Sequence, residues 1–259
     1  YGDQIQSSAT SGVPAEAHVH VDYVEHPSVY ADGDPYSLRE PRYRLDQPNY
    51  GSTAGLLVSG RVAPALVGLG LLEAVPDAAL SARADPEDRD GDGISGRVNR
   101  VWDVATHSER GGRFGWKAEQ PSIRQQVAGA FLGDMGITSS LFPSENCSAA
   151  QAACRRAPRG GTPELSDDTL TSVEHYVRTL AVPASRALAD EARALVGLAL
   201  FRAAHCDSCH VESLRTGPGA AAPELSDVEF HPYTDLLLHD LGPELSDARP
   251  VFAAQGCEF

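Results

Sequence analysis

The stretch Cys206-Asp207-Ser208-Cys209-His210, preceded by the apolar run Leu195-Val196-Gly197-Leu198-Ala199-Leu200-Phe201, decides how this chain is read. Two thiols three positions apart can form thioethers with the two vinyl groups of one haem, and the adjacent imidazole can reach the iron as proximal ligand. With five Cys and nine His among 259 residues, the pattern arises by chance in about 0.3% of such chains. A redox dithiol would follow a strand in a βαβ context, whereas this pair follows an apolar helix. Zinc would need a fourth ligand beyond Cys206, Cys209 and His210, and there is no second CxxC or HxxxH. The dithiol and zinc readings stand as less favoured alternatives to covalent haem c. Bacteria attach haem covalently outside the cytoplasm, so the expected location is periplasmic.

Working outward, 36 acidic against 21 basic residues give a formal charge of −15, the wrong sign for tracking phosphates or anionic lipid heads. Nucleic acid is excluded as a partner. The longest apolar run, Val62 to Leu72, has eleven residues and contains Pro64, short of the ~20 that cross a bilayer. No membrane span is expected. At 42% hydrophobic the composition is globular, and a chain this long buries roughly 70% of its unfolded surface. It opens at Tyr1 without Met or an apolar leader, which suggests a processed product or an internal fragment.

Residues 1–60 read as a β-hairpin and loop region. His18 to Val24 alternates as a strand, Asp32-Gly33-Asp34-Pro35 is a turn, and Arg42 to Leu45 returns. Helical patterns follow: one from Ser122, with Gln125 completing a capping box, one from Ser166 to Pro183, and one from about Asp190 to Ala204 that feeds the cysteine motif. The expected architecture is mainly α, with cytochrome c-like helical modules over 61–187 and 188–259 beside the small hairpin. Phe131-Leu132-Gly133-Asp134-Met135-Gly136 faintly echoes Leu237-Leu238-His239-Asp240-Leu241-Gly242, which keeps open two similar modules. Asp88, Asp90 and Asp92 occupy positions 1, 3 and 5 of a calcium-type loop with Gly93 at 6, although position 12 is Asn99 instead of Glu. The competing reading is a solvated acidic turn. Cys147 and Cys154 can pair as a disulfide in an oxidising space, or stand as two surface thiols.

Longer motifs carry a family resemblance. Ser59-Gly60-Arg61-Val62-Ala63-Pro64, Gly68-Leu69-Gly70-Leu71-Leu72-Glu73-Ala74 and Asp90-Gly91-Asp92-Gly93-Ile94-Ser95-Gly96-Arg97 resemble the di-haem thiol oxidoreductase-like family. Gly112 to Ala118, Asp134 to Ser139, the haem motif, and His231 to Asp240 continue the match. The family is distantly similar to bacterial di-haem cytochrome c peroxidases and carries two CxxCH motifs. The resemblance implies that this chain holds the second, with one haem here and another expected in the intact protein. It also implies that the family continues past Phe259. Leu241 departs from the family, which often has Met there.

The resemblance suggests roles for further residues. Met135 is a candidate thioether ligand to iron, more naturally of the other haem, or an ordinary core Met. Trp116 could relay electrons between haems, or be a structural aromatic. Arg61 and Arg113 could pair with haem propionates, or with carboxylates of this acidic chain. His239, and equally His231, could ligate iron or act as a distal acid/base, or be structural. The implied function is a haem-dependent oxidoreductase, peroxidase-like and acting on a small oxidant. The alternative is an electron-transfer module whose acidic surface docks a basic redox protein.

Overall fold

Twenty-four glycines and eighteen prolines cut the chain into short elements, because glycine weakens helix and strand interiors and proline terminates them. A computed structural model describes residues 1–184 and 191–259. Its elements in chain order are β1 His18–Val29, β2 Pro35–Asp46, α1 Leu69–Glu73, α2 Asp77–Arg83, β3 Arg100–Asp103, β4 Ser108–Gly111, α3 Ile123–Met135, α4 Ala152–Arg156, α5 Asp167–Thr179, α6 Glu191–Ala203, β5 Leu214–Arg215 and β6 Glu229–Phe230.

The expectation of a mainly α, cytochrome c-like fold is overturned. Helix makes up only 26% of the described residues and strand 17%, the strands forming three two-stranded antiparallel sheets among them. Helical spacing over 61–187 was real but local: α1 and α4 are five-residue turns. Meanwhile the hairpin strands run twelve residues each, well past the alternating segment that marked them.

The chain forms two compact units, residues 1–60 with 130–164, and residues 61–129 with 165–259. In the first, β1 and β2 pair from His18↔Asp46 to Val29↔Pro35. Gly33, at φ 93°, makes the left-handed step of the turn. Both faces of the ribbon are exposed, so cross-strand pairs carry it: Arg39 to Glu25 at 2.6 Å, His26 to Glu40 at 2.9 Å, and the Arg39 guanidinium over the Tyr23 ring. In the 130–164 segment Cys147 and Cys154 form a disulfide. The Glu164 carboxylate accepts from the Thr138 and Gly160 N–H groups, which holds it below the usual carboxylate range.

In the second unit Val75, Leu80, Leu214 and Leu236 form a buried cluster with Leu72, Val98, Val211 and Phe230 packed against it. Val211 and Leu214 directly follow the cysteine motif and Leu236 precedes His239, so one core fixes both stretches. Ser166 caps α5 by accepting from Thr169 N–H. Ser122 likewise accepts from Gln125 N–H at 3.2 Å. Gln125, however, is drawn to β3, accepting from Val104 N–H and donating to the Trp102 carbonyl. The α3 end is served instead by Glu73, which accepts from Ile123 N–H at 2.8 Å and pairs with Arg178 at 2.7 Å. The start of the third expected helix, Asp190, lies outside the described residues; α6 follows from Glu191.

The segment 247–259 is tied down by charge. Lys117, fully buried, donates to Asp247 at 2.8 Å, to the Arg249 and Gln255 carbonyls at 2.9 and 2.8 Å, and lies 4.3 Å from the Phe259 ring centre. Arg97 pairs with both oxygens of Glu258. Burial pushes the Glu258 carboxyl up, but Arg97 and the Gln255 N–H outweigh it and hold it below its ordinary value. A carboxyl lowered in the folded state stabilises above its unfolded pKa, and that contribution is lost as pH falls through the folded one. The denaturant midpoint is therefore expected to fall as pH drops below the usual glutamate range, and Glu258→Gln to flatten that part of the titration.

The echo between 131–136 and 237–242 has no counterpart in local structure. Phe131 to Met135 is helical, whereas Leu237 to Asp240 is extended, with Leu238 bridged to Arg97 and Asp240 to Glu258.

Candidate haem-attachment site

The cysteine motif is displayed by the way α6 ends. Ala204 N–H still bonds to the Leu200 carbonyl, then His205 adopts φ 56° and reverses the chain into a 3-10 turn over Cys206–Ser208. His210 N–H closes onto the Cys206 carbonyl at 2.9 Å. Cys206, Cys209 and His210 therefore project from one turn, and both thiols are free.

His210 is exposed and its Nδ1 lies 3.0 Å from the Tyr233 carbonyl. A carbonyl only accepts, so Nδ1 carries the proton and Nε2 keeps its lone pair for a metal. Tyr233 is set for this by φ 54° and by an edge-on contact with Phe201 of α6, centres 5.5 Å apart. Helix α6 has no buried residue although its sequence is apolar; Leu195, Val196 and Leu200 are 60%, 60% and 65% exposed. Two free thiols, an imidazole with an available Nε2 and an uncovered apolar helix are the donor set and surface that haem c requires.

A second imidazole approaches the turn. His239 Nδ1 lies 3.9 Å from Cys209 Sγ, and its Nε2 is 2.8 Å from Asp235 Oδ2. Burial, with Asp235 and Asp92 nearby, pushes the Cys209 thiol up. Gly96 leaves room for the ring: a Cβ there would lie 2.9 Å from His239 Cε1.

Residues 5–259 match the family described as "Di-haem oxidoreductase, putative peroxidase". The chain belongs to the di-haem oxidoreductase family. No curated protein and no solved structure matches it. In this member of the family the remaining candidates are placed as follows. Arg61 pairs with Asp247 at 2.9 Å and Glu119 at 3.5 Å. Arg113, buried, donates to the Val75 carbonyl at 2.6 Å and pairs with Asp77; burial lowers its pKa despite Asp77. Both arginines thus hold carboxylates of the chain itself. Trp116 is half exposed and donates its indole N–H to the Val62 carbonyl at 2.6 Å. Met135 is exposed at the end of α3, in the first unit. His231 Nδ1 meets Ser213 Oγ at 2.9 Å.

Ligand atoms of Asp88, Asp90 and Asp92 lie within 4.8 Å of one another. Asn99, at loop position 12, is buried with its amide donating to the Lys117 carbonyl. No helix among the described residues is long and apolar enough to cross a membrane.

Sequence reasoning missed three contributors: Asp235, the Tyr233 carbonyl and Gly96. None was readable from spacing: Asp235 meets His239 within a stretch that is not helical, the Tyr233 carbonyl acts through backbone, and a glycine at 96 does not announce which ring is packed against it.

Proposed function

We propose that this chain is a periplasmic haem c protein that takes part in electron transfer, as part of a di-haem, peroxidase-like oxidoreductase. The observation that carries the reading is the His210 ring, its Nδ1–H donated to the Tyr233 carbonyl so that Nε2 keeps its lone pair, on the same turn as two free thiols at the foot of α6. Cys206 and Cys209 would tether the haem and His210 would ligate its iron. Bound haem supplies one-electron chemistry at iron. The chain's own contribution would be to anchor it covalently through Cys206 and Cys209, to offer the exposed apolar side chains of α6 as a surface, and to hold a proton at His239 against the Asp235 carboxylate. The intact protein is inferred to carry a second haem. Its oxidant is a small molecule such as a peroxide on the enzyme reading. The chain's charge of −15 favours, as a second reading, docking of a basic redox protein. The acidic loop Asp88–Asp92 is inferred to take a calcium ion weakly, for want of a bidentate twelfth ligand.

Expression with the c-type maturation machinery is expected to yield haem that survives denaturation. A high-spin ferric spectrum supports the peroxidase reading, and a six-coordinate low-spin spectrum supports pure electron transfer. A chain that emerges without covalent haem defeats both.

A further inference from the structure

We propose that Asp235 and His239 form a positioning pair that holds the Cys209 sulfur for its thioether bond, so that the second arm of haem attachment is directed by the chain's own side chains. The proposal rests on the haem c reading above.

Three contacts in series make the case. Asp235 Oδ2 lies 2.8 Å from His239 Nε2, and His239 Nδ1 lies 3.9 Å from Cys209 Sγ. A carboxylate only accepts, so Nε2 carries the proton; in the neutral ring this leaves Nδ1 as the acceptor facing the sulfur. The pair is enclosed, with side chains 8% and 12% exposed, so it is unlike the solvated pairs of the hairpin. Asp235 is itself fixed through its other oxygen, which accepts from Leu237 N–H at 3.0 Å.

The ring is also held from outside the pair. His239 exchanges both backbone hydrogen bonds with Phe259, at 2.9 and 3.1 Å. Gly96 forms a wall with no Cβ where Cε1 lies. The two thiols are held differently: Cys206 Sγ lies 4.0 Å from the Ala204 carbonyl of its own turn, whereas Cys209 is met by a ring thirty residues further along the chain. Such an arrangement orients one sulfur independently of the motif.

The step it serves is addition of the Cys209 S–H across a vinyl group of ferrous protohaem. The S–H bond and the vinyl π bond break, a C–S bond forms at the carbon next to the porphyrin, and the hydrogen ends on the terminal carbon. No electron is gained or lost. Holding the sulfur limits its rotation and raises the fraction of encounters in which it faces the vinyl.

The test reads which sulfur is bonded. The full chain is matured in cells with the c-type machinery, alkylated under denaturing conditions and digested with trypsin. Peptide 203–215, bounded by Arg202 and Arg215, contains Cys206 and Cys209 and no other cysteine. Wild type is expected to carry haem through both sulfurs. His239→Ala is expected to carry haem through Cys206 with Cys209 alkylated, the doubly attached fraction falling about tenfold. His239→Gln, whose amide oxygen can accept from the thiol, should recover part of it, and His231→Ala should match wild type. Wild-type levels of double attachment in His239→Ala overturn the proposal and leave the haem reading intact. If His239→Ala fails to accumulate, Asp235→Asn decides in its place, with unchanged double attachment overturning the proposal. A wild-type peptide without haem removes both.

Discussion

Replacing Lys117 with methionine is expected to cost the 61–129/165–259 unit about 3 kcal/mol, because a fully buried ammonium would be removed from partners that cannot follow it into water. Asp247 would keep Arg61, but the Arg249 and Gln255 carbonyls would lose their donor inside the protein. The check is a urea titration, in which the midpoint falls with little change in slope. Adding Asp247→Asn to Lys117→Met should then cost less than the sum of the two single changes, since the groups share one cluster. A Lys117→Met chain as stable as wild type would mean that the ammonium contributes nothing net.

Changing Cys206 and Cys209 together to serine is expected to abolish covalent haem altogether. Serine keeps the turn, whose hydrogen bonds are made by backbone groups such as His210 N–H to the Cys206 carbonyl, but an alcohol does not add to the vinyl groups. Haem staining after denaturing electrophoresis should be lost from this motif, with the fold of the hairpin unit unchanged by circular dichroism. His210→Ala separates ligation from attachment: the thioethers form, and the absorption spectrum changes because the iron loses its protein ligand. Haem that remained bonded to the 203–215 peptide of the double-serine chain would refute the assignment.

Some of this was legible in residue order and some was not. Local signals were dependable: the alternation from His18 and the Ser122 and Ser166 starts depend on near neighbours, and each is found where its spacing puts it. Fold class was not legible, because helical periodicity says nothing of the loops between short helices. The glycines around Arg113 show a similar limit. Their number marks a close approach without saying of what: a Cβ on Gly112 would meet the Ala118 carbonyl at 1.7 Å, and one on Gly115, at φ 85°, would meet the Glu119 carboxylate, so the chain's own tight turn demands them. In the sequence Lys117 is one cation of an acidic chain; its importance comes from burial beside segment 247–259, which only the folded chain reveals.

The disulfide between Cys147 and Cys154 has a consequence for biogenesis when set beside the free thiols at 206 and 209. One polypeptide asks for two opposite treatments. An oxidant must close the first pair, while on the proposed haem c reading a reductant must keep the second pair open for attachment. The two events also compete for time, since a bond across 206 and 209 would block attachment. On the haem c reading proposed above, maturation is as much a matter of scheduling electrons as of delivering a cofactor, and a cell unable to keep the thiols at 206 and 209 reduced should accumulate a chain that is folded at the hairpin unit yet colourless.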